Sequence, residues 1–493
     1  MAYNRVLLIK FTMKVGYGPR RPPVGLGYIA EALKRQGISY EVIDCDLGYG
    51  LDRILEKGSQ YQPDLVGISM VTLGYLNSYH MIKKIKEILN CDILIGGPHI
   101  STLREQVLHA CPEVDFGMVG EGDHSIVQLC QGTDHESIAG LIYRSGRTIQ
   151  VNPSAPPIQD LDALDFPTYL NFELDKYYGS EKEISLVTSR GCPYGCTYCS
   201  VRLIMGPRMR FRSAKSVVDE IEYWVNRNYR MFTVMDDNFS HKRERVIEIC
   251  DEIERRNLTI RISLANGLRA DRVDYEMLKR LREAGAFEIQ IGVESANDRI
   301  LKILKKGENL ETISKAVQYA LELGYDTGTC FLVGSPGETV QEVYNSFDFV
   351  LQYPLSRTFF FNIIPYPGTA LYDYLKERGL MREDPEQYLG TLEQTEIRPV
   401  FETPEISLEE RIRLLKQSVK VSEKVRRRFL RKRFARFGVF SYVLAFMASW
   451  NIMEPLLKRS RFFSNYFLPF YFELRDREKR RSHRSDKLKT NRP

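Results

Sequence analysis

Cysteine is scarce in this chain, with nine cysteines among 493 residues. We recognise no secretory signal in the sequence, so we do not expect a framework of disulfides. An isolated cysteine in an apolar run is usually a small buried side chain. Six of the nine are expected to be of this kind, namely Cys45, Cys91, Cys111, Cys130, Cys250 and Cys330.

Long apolar segments are also rare. The uncharged segment 437–453 has 17 residues, near the lower limit for crossing a bilayer, and contains Ser441 and Ser449. A second, aromatic stretch at 462–472 is interrupted by Pro469. Next to clusters of Lys and Arg, such segments suit contact with an anionic membrane surface. They suit equally well helices that cover an open barrel, followed by a solvated, charged tail.

Acidic residues are missing from 424–436, where there are eight Lys or Arg, and few in 475–493, where nine Lys or Arg accompany three acids. Because the whole chain has a net charge of +6, the remainder carries about −8. Nucleic-acid binding draws chiefly on positive charge that faces phosphates. We therefore expect no nucleic-acid partner.

Strands and helices alternate over the first 150 residues, which predicts a doubly wound parallel sheet of the Rossmann-like or flavodoxin-like kind. A helix is predicted at 25–33. Several predicted strands end in Gly, Ser or Asp, which leaves room for a ligand beyond the carboxyl edge of the sheet. These strands are predicted at 5–9, 40–44, 65–69, 92–96 and 116–120.

A second series of strands and helices begins after a polar, proline-bearing stretch. Its regular repetition predicts a partial (β/α)6 barrel similar to a TIM barrel. The six apolar strands are predicted near 184–188, 232–235, 260–264, 288–293, 328–333 and 359–364. We thus expect a first domain at 1–145, a linker at 146–180, a barrel at 181–400, and a basic, aromatic, helical region at 401–493.

Three cysteines lie within eight residues, in the run Gly191-Cys-Pro-Tyr-Gly-Cys-Thr-Tyr-Cys199. Three thiolates can hold three irons of a 4Fe-4S cluster and leave the fourth iron open to another ligand. A structural zinc ion is the alternative, but it usually takes four protein ligands, often as two separated pairs, and no second pair is present. The loop follows the first predicted barrel strand, where barrel enzymes place their chemistry.

With this loop, residues 1–400 resemble the radical S-adenosylmethionine (SAM) superfamily, in its branch with an N-terminal cobalamin-binding domain. The resemblance implies that Cys192, Cys196 and Cys199 ligate a 4Fe-4S cluster and that SAM chelates its open iron. Reductive cleavage of SAM would then give a 5'-deoxyadenosyl radical, which abstracts a hydrogen from the substrate. An electron donor such as flavodoxin or ferredoxin is also implied.

The resemblance places SAM-binding residues at the ends of further strands. The set it implies is Tyr198 beside the adenine, Asp236, Asp237 and Asn238 for the methionyl ammonium, Arg269 for the carboxylate and Glu294 for the ribose or ammonium. Carboxylates, amides and a guanidinium are suitable partners for these groups. The same residues have ordinary structural uses, such as helix capping by Asp and Asn and surface ion pairing of Arg269 with Asp271.

The first domain resembles the cobalamin domain of this branch. The residues it implies for cobalamin are Pro23, Gly25, Ser69, Gly96, Gly97, His99, Gly120 and Glu121. Glycines would let the backbone approach the corrin closely, although an ordinary flavodoxin-like sheet also has such turns. The Asp-x-His-x-x-Gly motif for an imidazole below cobalt is absent, and His99 is the nearby candidate, with a structural role as its alternative.

The predicted function is that of a cobalamin-dependent radical SAM enzyme that methylates an unactivated carbon of a small-molecule or lipid-like substrate. Oxidative cyclisation or carbon-carbon coupling without methyl transfer is one alternative, and a non-catalytic iron-sulfur or cobalamin sensor is another. We expect a cytoplasmic protein, with peripheral membrane contact through 401–493 left open.

Overall fold

The structure is a computed structural model that describes residues 2–11, 21–177, 182–393, 396–435 and 438. Two sheets, both built mainly of parallel strands and flanked by helices, follow each other along the chain, and a long helix comes after them. Parallel strands need crossover connections, which the intervening helices supply. The α/β fold class predicted from the sequence is confirmed.

The first sheet contains seven strands. They are β1 (Arg5–Lys10), β2 (Ser39–Asp44), β3 (Leu65–Ser69), β4 (Asp92–Gly96), β5 (Phe116–Met118), β6 (Leu141–Ser145) and β7 (Thr148–Val151). The helices are α1 (Val24–Arg35), α2 (Leu51–Tyr61), α3 (Tyr75–Leu89), α4 (Pro98–Leu103), α5 (Glu105–Ala110) and α6 (Ser125–Cys130).

The strand order is β2-β1-β3-β4-β5-β6-β7, with β1 to β5 parallel and β6 and β7 antiparallel. The parallel part has the flavodoxin-like order, in which ligands bind beyond the carboxyl ends of the strands. Because β7 pairs with β6, the sheet extends past residue 145 to Val151.

The second sheet follows, and a short strand pair lies beside it. The strands of this part of the chain are β8 (Glu183–Leu186), β9 (Ser189–Arg190), β10 (Arg210–Phe211), β11 (Met231–Val234), β12 (Arg261–Leu268), β13 (Ala286–Glu294), β14 (Asp326–Val333) and β15 (Arg357–Asn362). The helices are α7 (Val201–Ile204), α8 (Ala214–Val225), α9 (Arg243–Arg255), α10 (Tyr275–Glu283), α11 (Asp298–Ile303), α12 (Leu310–Glu322), α13 (Val340–Gln352), α14 (Ala370–Glu377), α15 (Pro385–Thr391) and α16 (Leu408–Arg433).

Six strands of this part form one parallel sheet in the order β15-β14-β13-β12-β11-β8. All six predicted barrel strands are present, and β9 and β10 pair separately and antiparallel. The register of β12 against β13 shifts between Leu264 and Leu268, so β12 runs past the predicted end at 264. The loops after these strands meet at the carboxyl edge of the sheet, which positions the candidate site.

The segment predicted as a linker packs against the first domain. A Cβ on Gly27 of α1 would come within 2.6 Å of the Tyr169 ring and 2.8 Å of Pro167. The Tyr177 hydroxyl donates a hydrogen bond to the buried Asp44 carboxylate over 2.9 Å. These contacts hold the segment against the first domain.

Helix α16 is attached to the loop after β14 by Arg411, which is fully buried. Its guanidinium donates to the Gly334 carbonyl over 2.8 Å and lies 4.0 Å from the centre of the Phe401 ring. The helix starts with a capping box between Ser407 and Glu410.

Part of the predicted C-terminal region falls outside the described residues. Helix α16 agrees with the helical prediction, whereas the uncharged segment 437–453 (apart from residue 438), the aromatic stretch 462–472 and the basic tail 475–493 are not described. Within the described ranges, no helix has both the length and the apolar character needed to span a bilayer.

Candidate active site

The three-cysteine loop leaves β9 and is held at both ends by backbone contacts. Gly191 has a φ of +96°, and a Cβ there would come within 2.3 Å of the Arg208 carbonyl oxygen, so only glycine fits. The Cys192 amide donates to the Gly206 carbonyl over 3.3 Å. The Thr197 amide donates to the Leu304 carbonyl, just beyond α11, over 3.0 Å.

The three thiols are partly exposed and face basic residues. Burial raises the pKa of Cys199 to about 11. Burial also raises the pKa of Cys196, against the opposing effect of Lys306 and Arg269. These two cations would stabilise thiolates in the loop, which is the form that binds metal.

The three thiols do not meet at a single point. In the ranges that the structure describes, no three Cys, His, Asp or Glu side chains converge closely enough to hold a single metal ion. Ligands of one zinc ion meet at that ion, whereas thiolates of a 4Fe-4S cluster bind separate irons.

Glu294 lies at the end of β13 in a strained conformation. Its φ of +65° is unusual for a residue other than glycine and costs about 1–3 kcal/mol. Its carboxylate accepts a hydrogen bond from Lys306 Nζ over 3.0 Å, and both residues are buried. Such strain clusters at functional sites, where surrounding contacts hold it in place.

Lys306 bridges two carboxylates beside the cysteine loop. Its Nζ lies 3.0 Å from Glu294 Oε1 and 3.4 Å from Glu308 Oε2. Burial lowers the pKa of Lys306, but Glu294 and Glu308 outweigh burial and leave that pKa raised. The lysine is therefore charged, as a buried cation with two anionic partners should be.

Arg269 lies between this group and the cysteine loop. Its Nε donates to Asp271 over 2.9 Å, and its guanidinium carbon is 3.5 Å from the centre of the Tyr194 ring. Its Nη2 has no hydrogen-bond acceptor and lies 3.7 Å from Glu308 Oε2, which also lacks a donor. A buried guanidinium nitrogen without an acceptor fits the carboxylate of a bound amino acid.

The predicted run Asp236-Asp-Asn238 divides into different roles. The Asp236 carboxylate accepts three hydrogen bonds, from the Thr188 amide and hydroxyl and from the Ser189 hydroxyl, over 2.5–2.6 Å. It therefore holds the loop that leads into β9. Asp237 instead opens onto a cavity, and desolvation by the surrounding protein raises its pKa to about 6.

Two further predicted SAM residues are Asn238, at the end of this run, and Tyr198, in the cysteine loop. The Oδ1 atom of Asn238 is buried without a hydrogen-bond partner, and its Nδ2 lies 3.4 Å from His241 Nδ1. Tyr198 packs against an apolar cluster that contains Ile300 and Leu304. Burial, followed by the charge of Glu294, raises the pKa of Tyr198 well above its usual value. Adenine contact by Tyr198 stays a prediction.

A cavity of about 370 Å³ lies between the carboxyl edge of the first sheet and the start of the second. The predicted cobalamin residues Gly25, Ser69, Gly96, Gly97, Gly120 and Glu121 all line it. On the opposite side it is lined by Val187, Ser189, Arg190, Ile204, Met205, Met235 and Asp237. The cavity is thus shared between the two domains.

The side of this cavity formed by glycines of the first domain suits a large, flat ligand. A Cβ added to Gly25 or Gly96 would meet no atom within 4 Å, so the space above the backbone there is open. Gly97 has a φ of +94°, and a Cβ there would come within 3.0 Å of the Met70 carbonyl oxygen. Backbone at the carboxyl edge of a doubly wound sheet, free of side chains, fits the corrin ring.

A buried ion cluster joins the two walls of the cavity. Arg190 donates to Glu121 Oε1 over 2.8 Å and to both oxygens of Asp123 over 3.1 and 3.3 Å. Arg210 donates to Glu121 Oε2 over 2.5 Å and to the Ile158 carbonyl over 2.8 Å. Glu121 thus lines the cavity, but its carboxylate is engaged in holding the domains together.

His99, predicted near cobalamin, lies apart from the cavity lining. The imidazole is fully buried, and its Nε2 lies 2.8 Å from the Tyr79 hydroxyl, whereas its Nδ1 has no hydrogen-bond partner. Burial lowers its pKa to about 3, so it is neutral, and it packs 4.9 Å from the Tyr75 ring. These contacts favour the structural alternative for His99.

Pro23 is likewise not part of the cavity lining. It precedes α1 as the N-cap residue, and its carbonyl accepts a hydrogen bond from the Gly27 amide over 2.9 Å. Its fixed φ suits the start of a helix, which explains its place in the motif.

Sequence reasoning missed Lys306, Glu308, Arg190, Asp123 and Arg210. Glu308 and Lys306 lie between α11 and α12 in an ordinary charged run, with no local signal. The only available signal for Arg190 was its place directly before Gly191 and Cys192.

Comparison with known families decides the identity of the two domains. Residues 186–350 match the sequence pattern of the radical SAM superfamily, and residues 15–130 match the B12 binding domain. The chain thus contains a B12-binding domain followed by a radical SAM domain. It is accordingly a radical SAM enzyme, and its cofactors are a 4Fe-4S cluster, SAM and cobalamin, as predicted.

Several relatives of this radical SAM enzyme are methyltransferases. An uncharacterized methyltransferase of Pyrococcus horikoshii is 29% identical over 437 residues, which cover 85% of this chain and 92% of the relative. The cytidylyl-2-hydroxyethylphosphonate methyltransferase of Streptomyces wedmorensis is 26% identical, covering 74% of this chain and 80% of the relative. The structure of the radical SAM methyltransferase TsrM from Kitasatospora setae has the same fold, with a TM-score of 0.68, 22% identity and coverage of 76% of each chain.

Proposed function

We propose that this radical SAM enzyme is a cobalamin-dependent C-methyltransferase acting on a small molecule. The observation that carries the proposal is the wall shared by the two sites. Asp237 and Arg190 line the cavity of the B12-binding domain, and Arg190 is two residues from Cys192. A methyl carrier in the cavity and a radical formed at the loop would therefore adjoin the same substrate.

When bound, the cluster and SAM supply a radical that takes a substrate hydrogen, and cobalamin supplies the methyl group. The chain's own residues bind and orient these groups. Cys192, Cys196 and Cys199 would ligate the cluster, and the Nη2 of Arg269, which has no hydrogen-bond acceptor, would pair with the methionine carboxylate.

Two carboxylates complete the proposed SAM site. Asp237, which lines the cavity and accepts a backbone hydrogen bond from Gly191, would accept a further one from the methionyl ammonium. Glu294 faces the ribose or the ammonium and is oriented by Lys306. The Asp236 carboxylate is already occupied by three hydrogen bonds, which fix the loop before β9. We therefore assign Asp236 a role in positioning Asp237 and Glu294.

The substrate is proposed at the level of a class. The phosphonate methyltransferase, as its name states, acts on a cytidylylated small molecule, and TsrM was solved with tryptophan. A small organic substrate is consistent with both. A lipid-like substrate, membrane contact and cytoplasmic location stay predictions.

The proposal is tested by anaerobic reconstitution of the full chain. The purified protein should contain four irons and four sulfides per chain, by the stoichiometry of one 4Fe-4S cluster, together with cobalt. With reductant, methyl-labelled SAM and a deproteinised extract of the source cells, it should form 5'-deoxyadenosine and transfer the label to carbon. Cys196→Ala is the matched control and should show neither.

Other outcomes would identify the alternatives. A product lighter by two hydrogens, without labelled carbon, would replace methyl transfer by ring formation or coupling. Deoxyadenosine no higher than in Cys196→Ala, with the extract present, would indicate a sensor.

A further inference from the structure

Three arginines surround the cysteine loop on its solvent side, and we call Arg202, Arg208 and Arg272 the arginine collar. Arg202 and Arg208 are exposed, and the Arg272 side chain is 43% exposed. Each comes from a different element: α7, the turn before β10, and the segment after β12. None of the three belongs to the proposed SAM or cobalamin site.

Each member of the collar lies next to a different residue of the loop. The Arg202 Nη1 atom is 3.3 Å from the place where a Cβ on Gly195 would stand. The Arg208 backbone underlies Gly191. The Arg272 Nε atom donates to the Tyr194 hydroxyl over 2.6 Å.

The stretch of sequence that contains the loop is one-sided in charge. Residues 184–218 contain six Arg or Lys and no Asp or Glu. Within this stretch Arg190, Arg210 and Arg212 are buried and paired with carboxylates, so they do not act at the surface. Arg202 and Arg208 form no ion pair with any described residue, and Asp271, 3.6 Å from Arg272, is the acid close to the collar.

The loop itself reaches the surface inside the collar. Pro193 and Gly195 are exposed, whereas Tyr198 on the other side of the loop packs against the apolar cluster of Ile300 and Leu304. An external electron donor can therefore approach the loop at Pro193 and Gly195. Cations that ring such an entry point steer negatively charged proteins to it.

We propose that the arginine collar is the docking surface for a small acidic electron-carrier protein. The inference rests on the proposed function, because each reductive cleavage of SAM consumes one electron. The carrier is oxidised by one electron, which passes to the protein through the loop edge at Pro193 and Gly195. The exposed, unpaired charge of Arg202 and Arg208 selects an acidic partner over a neutral one.

The test compares two sources of electrons for the same protein. The variant is Arg202→Glu/Arg208→Glu, and the control is Lys416→Glu/Lys420→Glu, which makes the same change in charge on the exposed face of α16. Each reconstituted protein is supplied with reduced flavodoxin or with reduced methyl viologen, a small cation that needs no acidic docking face. Deoxyadenosine formation and flavodoxin binding by calorimetry at 50 and 300 mM salt are measured.

We expect the collar variant to bind flavodoxin about tenfold more weakly at low salt and to lose most of the salt dependence of binding. Flavodoxin-driven deoxyadenosine formation should fall in parallel, while the rate with methyl viologen stays within about twofold of wild type. The control variant should behave as wild type with both donors.

Unchanged flavodoxin binding and salt dependence in the collar variant would overturn the proposal. Equal loss with both donors would also overturn it, because the arginines would then support the loop rather than the carrier. If the wild type forms no deoxyadenosine with methyl viologen, the proposed function fails, and the binding measurement still decides on the collar.

Discussion

Two buried ion clusters flank the cysteine loop, and they differ in how completely they are satisfied. In the cluster of Glu121, Asp123, Arg190 and Arg210, every carboxylate oxygen accepts a hydrogen bond. In the group around Lys306, the Glu308 Oε2 atom and the Arg269 Nη2 atom have none. Buried polar groups normally have hydrogen-bond partners, so two atoms held only by ion-pair contacts of 3.4 and 3.7 Å have room for a further partner.

The difference separates a structural cluster from a binding one. The first joins the B12-binding domain to the start of the barrel, and all its carboxylate oxygens are paired without a ligand, although Arg210 Nε has no partner. In the second, one guanidinium nitrogen and one carboxylate oxygen have only the longer ion-pair contacts of 3.4 and 3.7 Å, next to the loop that would hold the cluster and SAM. Three substitutions test the structural cluster, the cavity between the domains and the binding cluster.

The largest effect is expected for Arg190→Met. The change leaves Asp123 buried without its cation and Glu121 with Arg210 alone, which should cost about 3–5 kcal/mol of stability. Urea unfolding of the protein without cofactors measures the loss. Arg202→Met, an exposed arginine at the same loop, is the control and should stay within about 0.5 kcal/mol of wild type. A similarly small change for Arg190→Met would refute the structural role of the first cluster.

An intermediate effect is expected for Gly96→Leu. A side chain there meets no protein atom near its Cβ, so the protein without cofactors should keep its stability. The leucine would instead fill space needed by the corrin, at about 2 kcal/mol, which is roughly thirtyfold in cobalamin affinity. Titration of cobalamin followed by its absorbance gives the affinity. Gly50→Leu, equally free of neighbours, should bind as wild type, and tight binding by Gly96→Leu would place cobalamin elsewhere.

The smallest effect is expected for Arg269→Gln. Without SAM, the loss should be slight because Lys306 still neutralises Glu308. With SAM, one charged hydrogen bond disappears, worth about 1.5 kcal/mol or tenfold in affinity. Calorimetric titration of SAM into the reconstituted protein measures this, with Arg243→Gln as a surface control. Equal SAM affinity in both variants would remove Arg269 from the site.

The strands and the cysteine loop were predictable from local sequence. The first buried strands, such as β3 and β4, have the predicted bounds, because apolar runs bounded by turn residues carry the signal within a few residues. The fixed spacing of Cys192, Cys196 and Cys199 is local as well. Six of the eight residues predicted for cobalamin, four of them glycines, line the cavity.

The partners that complete the site could not be predicted in this way. Glu121 and Arg190 are 69 residues apart, and their pairing depends on how two domains meet. The extension of β12 beyond residue 264 depends on a register shift against β13, which propensity does not show. His99 belongs to the same glycine-bearing run as Gly96 and Gly97, yet its direction is set by packing against Tyr79.

The shared cavity has a consequence for the order in which the protein is made. A nascent chain that has emerged only to residue 177 contains the seven strands of the first sheet and the side of the cavity formed by glycines. It lacks Arg190 and Arg210, so Glu121 and Asp123 have no cation to pair with until the ribosome has added the three-cysteine loop. Domains fold largely in order of synthesis. The cavity therefore gains its second wall, from Val187 to Arg190, only when the barrel begins to be made, immediately before the first of the three cysteines.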